Sequence, residues 1–552
     1  MDLVLVGLPG SGKSAVGRRL AHRHNAQFVD LDELIENRTG KTVPAIFAEE
    51  GEAGFRRHEC DAVMALGPAD AGPDLNRVIA TGGGAVIEPR NRWHLYRGRR
   101  AVWLDGNTET LASRLATSHN VRPLVAGDDP AGALRRLAGE RRRFYAPALQ
   151  ITGTGQIGTI LAALEKRLAD PPSNAVTVLR AETPIGRVEI GSGIAATAIS
   201  SALIHCNARR AILVAEPRTW EVAGDGVAQA LAAAGWTVEH ILLPRGEAAK
   251  RMSVVEKACR ELARLRVDRR EPIVAIGGGA LTDTAGFTAA TYLRGIPVIQ
   301  VPTTLVGQID AALGGKTAVD LPEGKILVGA FHQPTAFIAD VSFLATLPER
   351  QMRAALGETV KMAALGDERL MELIEADGEA IVAGRREPME SGAIAELVER
   401  CAWAKVEVVT ADERESGRRM ILNLGHTIGH AIEAAAGYRS ILHGEAVAYG
   451  LRGAFAIALS MGLTSTARAQ RVGGLLDRLK LGVEPPAVSP AAVREHMATD
   501  KKHALGRLSW VLPTDSTVVI RQDVPSESVE AGIAAALRLS VEELHRQEVA
   551  NR

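Results

Sequence analysis

The feature that most constrains the fold is a glycine-rich segment at residues 7–14, which reads Gly-Leu-Pro-Gly-Ser-Gly-Lys-Ser. It follows the apolar run Leu3–Val6 and precedes a helical stretch at Ala15–His22. In such a turn the backbone N–H groups point at phosphate oxygens, the lysine neutralises β- and γ-phosphate, and the serine hydroxyl reaches Mg²⁺. We therefore expect a strand–loop–helix unit of a parallel α/β domain that binds ATP with Mg²⁺.

Length and charge limit the classes of protein that this chain can belong to. With 552 residues, 46% of them apolar and 24% charged, the chain is expected to form several globular domains rather than one core or a disordered chain. Lysine plus arginine and aspartate plus glutamate both number 65, so there is no excess positive charge for a nucleic-acid partner. We expect small-molecule partners, with anionic ones met by local basic residues.

Cysteine usage and hydropathy indicate the compartment. The four cysteines, Cys60, Cys206, Cys259 and Cys401, lie far apart, which argues against a disulfide scaffold or a cysteine-ligated zinc site and fits a reducing environment. The sequence has neither a signal-like segment nor an apolar run long enough to cross a bilayer. We therefore expect a cytoplasmic protein with no membrane partner.

The pattern of apolar runs predicts α/β structure, a linker, a second α/β region and then mostly helix. The first series contains strand candidates Leu3–Val6, Val78–Ala80 and Ala101–Leu104, and Asp170–Asn174 reads as a linker. The second contains Ala211–Ala215, Thr237–Leu242, Ile273–Ile276 and Pro297–Val301, and beyond it only Leu508–Leu512 looks like a strand. The predicted domains are 1–168, a linker at 169–176, 177–342 and a mainly helical 343–552.

Two carboxylates at the end of a short apolar stretch that contains Phe28 and Val29 narrow the role of the phosphate loop. Asp30 and Asp32 are spaced i, i+2, so both are expected to project from one side of an extended strand end. One could hold Mg²⁺ through water while the other orients or deprotonates an acceptor hydroxyl; alternatively, the pair is a solvated helix start. Further candidates downstream are Phe55–Glu59, Thr81–Gly84, Val121–Leu124 and the basic run Arg141–Arg143 before Tyr145.

In this order and spacing, these segments resemble the shikimate kinase family across residues 1–168. The resemblance implies that Asp32 activates the shikimate hydroxyl, that Asp30 helps to order the metal and that Arg122 belongs to a lid. The positions implied for ATP and Mg²⁺ are Gly10, Ser11, Gly12, Lys13, Ser14, Ala15 and Arg122, and those implied for shikimate are Asp32, Arg56, Gly82, Gly83, Gly84 and Arg141. Ala15 stands where the family usually has threonine. In the basic run, Arg142 or Arg143 could take the role implied for Arg141.

A second glycine turn, Gly277–Gly279, follows the strand candidate Ile273–Ile276. It departs from the usual dinucleotide-binding fingerprint but still lets backbone approach a pyrophosphate. Thr303 and Thr304 add hydroxyls, and Asp310, Lys316 and Lys325 add charge in the glycine-rich stretch that follows.

Histidines in the helical region indicate a metal site. His426 and His430 are spaced i, i+4 on one helical face, His443 follows, and Glu358 lies one helical turn from Lys361. One glutamate and two histidines with an open position form a usual catalytic zinc set. A lone histidine pair is more often structural, but burying so many charged groups in an apolar region without a function is costly.

Together with Arg294, Gly357, Arg419–Glu433, His443–Glu445 and Asp500–Lys502, these segments look like 3-dehydroquinate synthase over about residues 177–540. The resemblance implies NAD⁺ and one divalent ion, Zn²⁺ or Co²⁺, and a homodimer through this half in which Arg294 reaches the partner's substrate phosphate. Implied metal ligands are Glu358, His426 and His443. Residues implied around the substrate are Asp310, Lys316, Lys325, Lys361, Lys405, Arg419, Asn423, His430 and Lys501 or Lys502. Those implied for NAD are Glu216, Glu247, Lys250, Gly277, Gly278, Gly279, Asp283, Thr303, Thr304, Lys316, Lys325 and Thr346.

The implied chemistry has no net redox change: transient oxidation of a secondary alcohol permits loss of phosphate, hydride returns, and an aldol step closes a carbocycle. Ile326 stands where this family usually has asparagine, and Ala311 where serine is common. The alternatives are a different sugar-phosphate cyclase or a polyol dehydrogenase in the second half, a kinase for another small hydroxyl compound such as gluconate in the first, or a degenerate scaffold in either. The cluster of cationic residues favours an acid phosphate as the substrate over a simple polyol.

Overall fold

The computed structural model describes residues 1–70, 72, 74–117, 123–125, 129–168, 175–415, 417–438, 440–499, 503–504 and 507–550. The chain forms two compact units, the first comprising Met1–Thr183 and Arg187–Ala198 and the second Pro184–Gly186 and Ile199–Arg552. Within the described residues, no helix combines the length and the apolar character needed to cross a membrane.

The first unit contains a five-stranded parallel sheet in the order β2-β3-β1-β4-β5. Its central strand β1 is buried along its whole length, as expected for a parallel strand covered by helices on both faces. The three strands predicted in this unit are confirmed as β1, β3 and β4. Strand β5 was not predicted because three of its four residues are exposed and its apolar signal is weak. The strands of this sheet are β1 Asp2–Val6, β2 Gln27–Asp30, β3 Arg77–Ala80, β4 Arg100–Asp105 and β5 Leu149–Thr152. Two further strands that are not part of it follow, β6 Val176–Thr183 and β7 Gly186–Ser192.

Helices flank this sheet, and side-chain caps define several of their starts. The helices are α1 Lys13–Arg23, α2 Leu31–Thr39, α3 Val43–Met64, α4 Pro89–Tyr96, α5 Thr108–Ala116, α6 Pro130–Tyr145 and α7 Ile157–Leu168. Asp30 is the N-cap of α2 and accepts a hydrogen bond from the backbone N–H of Asp32. The expectation that both carboxylates project from a strand end is therefore wrong: β2 ends at Asp30, and Asp32 lies in the first turn of the helix.

The second unit has parallel strands in the order β14-β11-β10-β8-β9, and the four strands predicted there are confirmed. The glycine-rich stretch after β11, which gave no strand signal, contains an antiparallel hairpin of β12 and β13. The Leu508–Leu512 run is divided between two short strands that belong to different hairpins. The strands are β8 Ala211–Ala215, β9 Val238–Leu242, β10 Ile273–Gly277, β11 Val298–Pro302, β12 Lys316–Leu321, β13 Gly324–Phe331, β14 Ala336–Asp340, β15 His503–Ala504, β16 Arg507–Leu508, β17 Trp510–Pro513 and β18 Val518–Arg521.

The region after β14 is mostly helical, as predicted. The helices of this unit, including one that starts at the unit boundary, are α8 Ala195–His205, α9 Pro217–Thr219, α10 Asp225–Ala233, α11 Met252–Arg264, α12 Gly279–Thr291, α13 Glu349–Ala364, α14 Glu368–Val382, α15 Glu387–Glu390, α16 Ala393–Ala411, α17 His426–Ala435, α18 His443–Ser460, α19 Thr466–Arg478, α20 Pro490–Thr499, α21 Ser526–Ala536 and α22 Val541–Ala550. Helix α13 is buried without interruption from Ala354 to Ala364 and forms the centre of the helical region.

Two glycines let α13 and α18 cross with their backbones in contact. A Cβ atom built on Gly357 would lie 2.1 Å from the carbonyl oxygen of Gly444, and one built on Gly444 would lie 1.8 Å from that of Ala354. Neither position can hold a larger residue unless the helices move apart. This crossing places Glu358 of α13 beside His443, the first residue of α18.

The β12–β13 hairpin contains a strained residue. Ile326 has φ of 51° and a side chain that is 62% exposed, although a β-branched residue is costly in the left-handed region. Its backbone N–H is held by the Asp320 carboxylate at 2.8 Å. Asparagine, which tolerates this conformation, should fit the same backbone with less strain.

We expect Ile326→Asn to stabilise the second unit by about 1 kcal/mol, because it relieves left-handed strain without removing buried apolar surface. Differential scanning calorimetry should show a rise of about 2 °C in the melting transition of that unit. The matched control is Ile204→Asn, since Ile204 is 65% exposed but lies in the helix α8. Equal or lower stability of both variants would contradict the strain argument.

Candidate active sites

The phosphate loop of the first unit is preorganised by its lysine. Lys13 Nζ donates to the carbonyl oxygens of Gly7 at 2.8 Å and Leu8 at 3.0 Å, so the ammonium lies across the mouth of the loop. Gly12 has φ of 87° and leads directly into α1. The other predicted ATP-binding residues of this segment lie in the same loop and first helical turn: Gly10, Ser11, Ser14 and Ala15. Arg122 lies outside the described residues.

The triple-glycine turn after β3 lies against the predicted acceptor residues. A Cβ atom on Gly82 would lie 3.0 Å from Asp32 Oδ1, and one on Gly84 would lie 2.3 Å from both terminal nitrogens of Arg56. The hydroxyl of Tyr145 donates to the carbonyl oxygen of Gly83. The structure therefore brings Asp32, Arg56 and the glycines together, as predicted.

A buried glutamate completes this cluster; it lies in the candidate segment Phe55–Glu59, but the sequence analysis gave it no role of its own. Glu59 is 1% exposed; its Oε2 accepts from Arg56 Nη1 at 2.6 Å, and its Oε1 makes no hydrogen bond within the described residues. Burial raises the pKa of Glu59 to about 7; Arg56 opposes the rise, Asp32 adds to it and the buried Arg141 opposes it. The i, i+3 spacing of Arg56 and Glu59 on one helix was the available signal.

A cavity of about 610 Å³ opens next to the phosphate loop. It is lined by Leu8, by the carboxyl ends of β4 and β5, and by Arg142, whose guanidinium lies 5.2 Å from the centre of the Trp103 ring. Its size is in the usual range for small-molecule sites. It leaves room for a nucleoside next to the loop that would hold the phosphates.

In the second unit, the predicted NAD residues gather at the carboxyl edge of the parallel strands. Gly277 ends β10, and its carbonyl oxygen accepts from the N–H of Thr303, which follows β11. Glu216, at the end of β8, accepts from the N–H of Gly246, next to Glu247. In open α/β sheets this edge is where ligands bind. Gly278, Gly279 and Thr304 lie at the same edge.

A buried ion pair lies beside that edge. Lys250 Nζ is 2.7 Å from Asp283, on α12. Burial raises the pKa of Asp283 to about 6, against the opposing effect of Lys250. Lys325 of the β12–β13 hairpin lies 4.0 Å from Glu247, which joins the NAD residues to the residues predicted around the substrate.

The predicted metal ligands converge on one point. Glu358 Oε1 lies 2.9 Å from His443 Nε2 and 3.6 Å from His426 Nε2. Ligands held at about 2.0–2.2 Å by a tetrahedral ion are separated by roughly 3.3–3.6 Å. The 3.6 Å separation lies in this range, whereas the 2.9 Å separation is a direct contact that would have to open slightly to admit an ion. Glu358 Oε2 is held by Lys361, whereas Oε1 faces both histidines and is the oxygen placed to bind an ion.

His430 belongs to the same cluster. The ligand nitrogens of His426, His430 and His443 all lie within 4.8 Å of one another. The family resemblance implies a place for His430 at the substrate rather than at the metal. The position of His430 allows it to bind either the metal or the substrate. The contacts of Glu358 with His426 and His443 favour Glu358 as the third metal ligand.

A chain of alternating charges runs from the metal ligands into the unit. Lys361 Nζ lies 2.5 Å from Glu358 Oε2, and Lys405 Nζ lies 2.6 Å from Asp310 Oδ1. Burial disfavours the charge on Lys361, but Glu358 and Asp310 outweigh burial and raise its pKa. Burial likewise opposes ionisation of Asp310, but Lys405 and Lys361 overcome it and hold the pKa of that carboxyl low. Arg419, which is buried, donates to the carbonyl oxygen of Gly314 near this row.

Two glutamates at this site were missed by sequence reasoning. Glu433 accepts from Lys325 at 3.1 Å and lies 3.2 Å from His443 Nδ1, the usual place for a carboxylate that orients a metal-binding histidine. Glu415 accepts from Lys316 and from Asn423, two residues predicted to bind substrate. Glu433 could have been found from its position one helical turn after His430, whereas Glu415 gave no comparable signal.

Two predicted residues among the described ones are not joined to these clusters. Arg294 is exposed, in a turn after α12 where Leu293, Arg294 and Gly295 all have positive φ. Thr346 is exposed and donates to the carbonyl oxygen of Phe343. Lys501 and its neighbour Lys502 lie outside the described residues.

Comparison with known proteins agrees with this division of the chain. Residues 9–164 match the model of shikimate kinase, 240–354 that of the 3-dehydroquinate synthase N-terminal domain, and 355–503 that of its C-terminal domain. A 3-dehydroquinate synthase of Symbiobacterium thermophilum is 40% identical over 355 residues, covering 64% of this chain and 98% of that protein.

Solved structures give the same fold for the second unit. The 2-epi-5-epi-valiolone synthase ValA of Streptomyces hygroscopicus subsp. jinggangensis 5008, with NAD⁺ and Zn²⁺ bound, is 30% identical, with a TM-score of 0.59 over 64% of this chain and 96% of that one. A 2-deoxy-scyllo-inosose synthase complexed with carbaglucose-6-phosphate, NAD⁺ and Co²⁺ is 26% identical, with a TM-score of 0.56 over 63% of this chain and 96% of that one.

The fold and the two sites define the class of protein: a phosphate-loop kinase fused to a cyclase of the kind that uses NAD and a divalent metal ion. The chain belongs to the 3-dehydroquinate synthase family and carries a shikimate kinase domain before its synthase part.

The buried glutamate predicts a pH dependence of the kinase. Because the pKa of Glu59 is raised to about 7, the carboxyl becomes neutral as the pH falls through that value and loses its ionic hold on Arg56. We expect kcat/KM for shikimate to fall over this range and the fall to be absent in Glu59→Gln. In Glu52→Gln, which removes the exposed carboxylate 2.9 Å from Arg56, the fall should remain. An unchanged profile in the Glu59 variant would refute this role.

Proposed function

We propose that this chain is a bifunctional enzyme. Its kinase domain phosphorylates shikimate to shikimate 3-phosphate with ATP, and its synthase part converts 3-deoxy-D-arabino-heptulosonate 7-phosphate to 3-dehydroquinate with loss of phosphate. The observation that carries the proposal is the pair of assembled sites, each built from the residues that the respective family resemblance implies.

In the kinase, bound ATP and Mg²⁺ would supply the phosphoryl group and its charge neutralisation. Lys13 would hold the β- and γ-phosphates, and Ser14, in the first turn of α1, would reach the metal. Asp32 lies on the open side of Gly82, where it can orient the acceptor hydroxyl and take up its proton. Arg56 and Arg141 would bind the shikimate carboxylate, with Arg56 held in place by Glu59.

In the synthase, bound NAD⁺ and Zn²⁺ or Co²⁺ would supply a hydride acceptor and a Lewis acid. Glu358, His426 and His443 would hold the ion, and the carboxyl edge of the parallel strands would hold the dinucleotide. The remaining cations of the site would bind the substrate carboxylate and phosphate and exclude a neutral polyol: Lys316, Lys325, Lys361, Lys405 and Arg419. Glu433 would orient His443, and Asp310 would hold Lys405 in place.

The other catalytic possibilities have less support. The named cyclases of different product are 26–30% identical, compared with 40% for the synthase of Symbiobacterium thermophilum. We further propose a homodimer through the synthase part in which the exposed Arg294 contributes to the partner's site, and a cytoplasmic location, which the four free cysteines support. The predicted domain boundaries at 168, 176 and 342 also remain proposals.

Paired assays on single-site variants test the two activities separately. Lys13→Ala should lower shikimate phosphorylation by about 10³-fold or more and leave dehydroquinate formation unchanged, because the two sites are assembled from different residues. Glu358→Gln should do the opposite and also lower the zinc content of the purified protein. Coupled spectrophotometric assays and metal analysis give the readouts.

Lys166→Ala and Glu379→Gln, exposed positions in the same two units, serve as controls and should leave both rates unchanged. Phosphorylation of gluconate but not shikimate, net NADH production from a simple polyol, or full kinase activity in Lys13→Ala would overturn the corresponding half of the proposal.

A further inference from the structure

Arg92, on helix α4 of the first unit, is one of the largest fully buried side chains among the described residues, with 0% of its surface exposed. A buried guanidinium is costly unless its donors are paired. None of the predicted ATP or shikimate positions includes it, so its burial needs another explanation.

The partners of Arg92 lie on both sides of the triple-glycine turn. Its Nη1 donates to the carbonyl oxygens of Val86 and, at 2.7 Å, Ile87, two and three residues after Gly84. Its guanidinium lies 4.1 Å from the centre of the Phe144 ring. Phe144 precedes Tyr145, whose hydroxyl donates to the carbonyl oxygen of Gly83. Arg92 therefore holds the backbone at Val86 and Ile87, which directly follows the triple-glycine turn.

The third contact of Arg92 comes from strand β6. Its Nε donates to the carbonyl oxygen of Val178 at 2.8 Å. A second residue of the same strand, Arg180, donates to the carbonyl oxygen of Ala146, just after Tyr145. Strand β6 starts at Val176, whereas the match to the shikimate kinase model ends at residue 164. Part of the support for the turn is thus supplied from outside the segment that matches the kinase family.

We propose that Arg92 is a positioning residue for the acceptor site of the kinase, braced by β6, so that the shape of the shikimate-binding turn depends on residues beyond the kinase domain itself. The inference rests on the proposed shikimate kinase activity. It requires that loss of the brace weakens shikimate binding while ATP binding, which uses the phosphate loop, is unaffected.

The test uses the full-length chain. Arg92→Met keeps the length and apolar stem of the side chain but removes its donors; it should raise KM for shikimate about tenfold or more, with KM for ATP and the synthase rate unchanged. Arg92→Lys, which restores one donor group, should recover part of the loss. Arg97→Met, which changes an exposed arginine at the end of the same helix, is the control and should behave like the unmodified chain.

Hydrogen exchange provides a second readout that a merely structural role would not change. Shikimate should slow exchange in the peptides that cover residues 82–88 and 176–183 of the unmodified chain, and in Arg92→Met only the first protection should remain. If Arg92→Met does not fold, Arg180→Met removes the contact of β6 with Ala146, together with the ion pair of Arg180 with Glu189, and should raise KM for shikimate about threefold.

An unchanged KM for shikimate in a folded Arg92 variant would overturn the inference. So would a hydrogen-exchange rate in β6 of the unmodified chain that is the same with and without shikimate. Absence of shikimate phosphorylation in the unmodified chain would instead refute the proposed function.

Discussion

The crossing of α13 and α18 is the constraint on which the synthase site depends. Packed helix axes usually lie about 8–10 Å apart. At Gly357 and Gly444 the backbones of α13 and α18 are in direct contact. Glu358 and His443 are the residues next to these glycines, and their side chains meet. His426 arrives from α17, so three helices supply one donor each. The charged row of Lys361, Asp310 and Lys405 then extends from that point into a region that would otherwise be apolar.

In the kinase domain, the acceptor turn Gly82–Gly84 is held in shape by charged and polar side chains rather than by contact between two helix backbones. Its acceptor turn has no side chains of its own, so its shape is set by what surrounds it: Arg56 and Glu59 on one side and Tyr145 on the other. Arg92 holds the backbone that follows the turn. Buried ion pairs are weak sources of stability but strong sources of geometric specificity, which is what an acceptor site requires.

Much of this architecture was predictable from the sequence, and the failures have physical causes. Strands that are buried on both faces, such as β1 and β10, appear as continuous apolar runs and were found, whereas β5 and the β12–β13 hairpin are too exposed to leave that signal. Lys13 could be predicted because phosphate-loop chemistry requires a lysine at that spacing, whereas the pairing of Glu358 with His443 as ligands was implied by the family resemblance and not by spacing. Glu59 was given no role because an i, i+3 ion pair on a helix is common at solvated surfaces and its burial is visible only in the structure, whereas Glu415 was missed because its partner Lys316 is far away in the sequence. The i, i+2 spacing of Asp30 and Asp32 was misleading since a helix cap intervenes between strand and helix.

The central claim is that a backbone contact between two helices creates the metal site, and the metal affinity of Gly444→Ala tests it most directly. The added methyl group would lie 1.8 Å from the carbonyl oxygen of Ala354 and force the helices apart, whereas Gly474→Ala adds a methyl group where no atom lies within 4 Å. Competition with a chelator should show a loss of Zn²⁺ affinity of about 10–100-fold or more in the Gly444 variant and none in the control. A folded Gly444→Ala protein that binds Zn²⁺ as tightly as the unmodified chain would contradict the account.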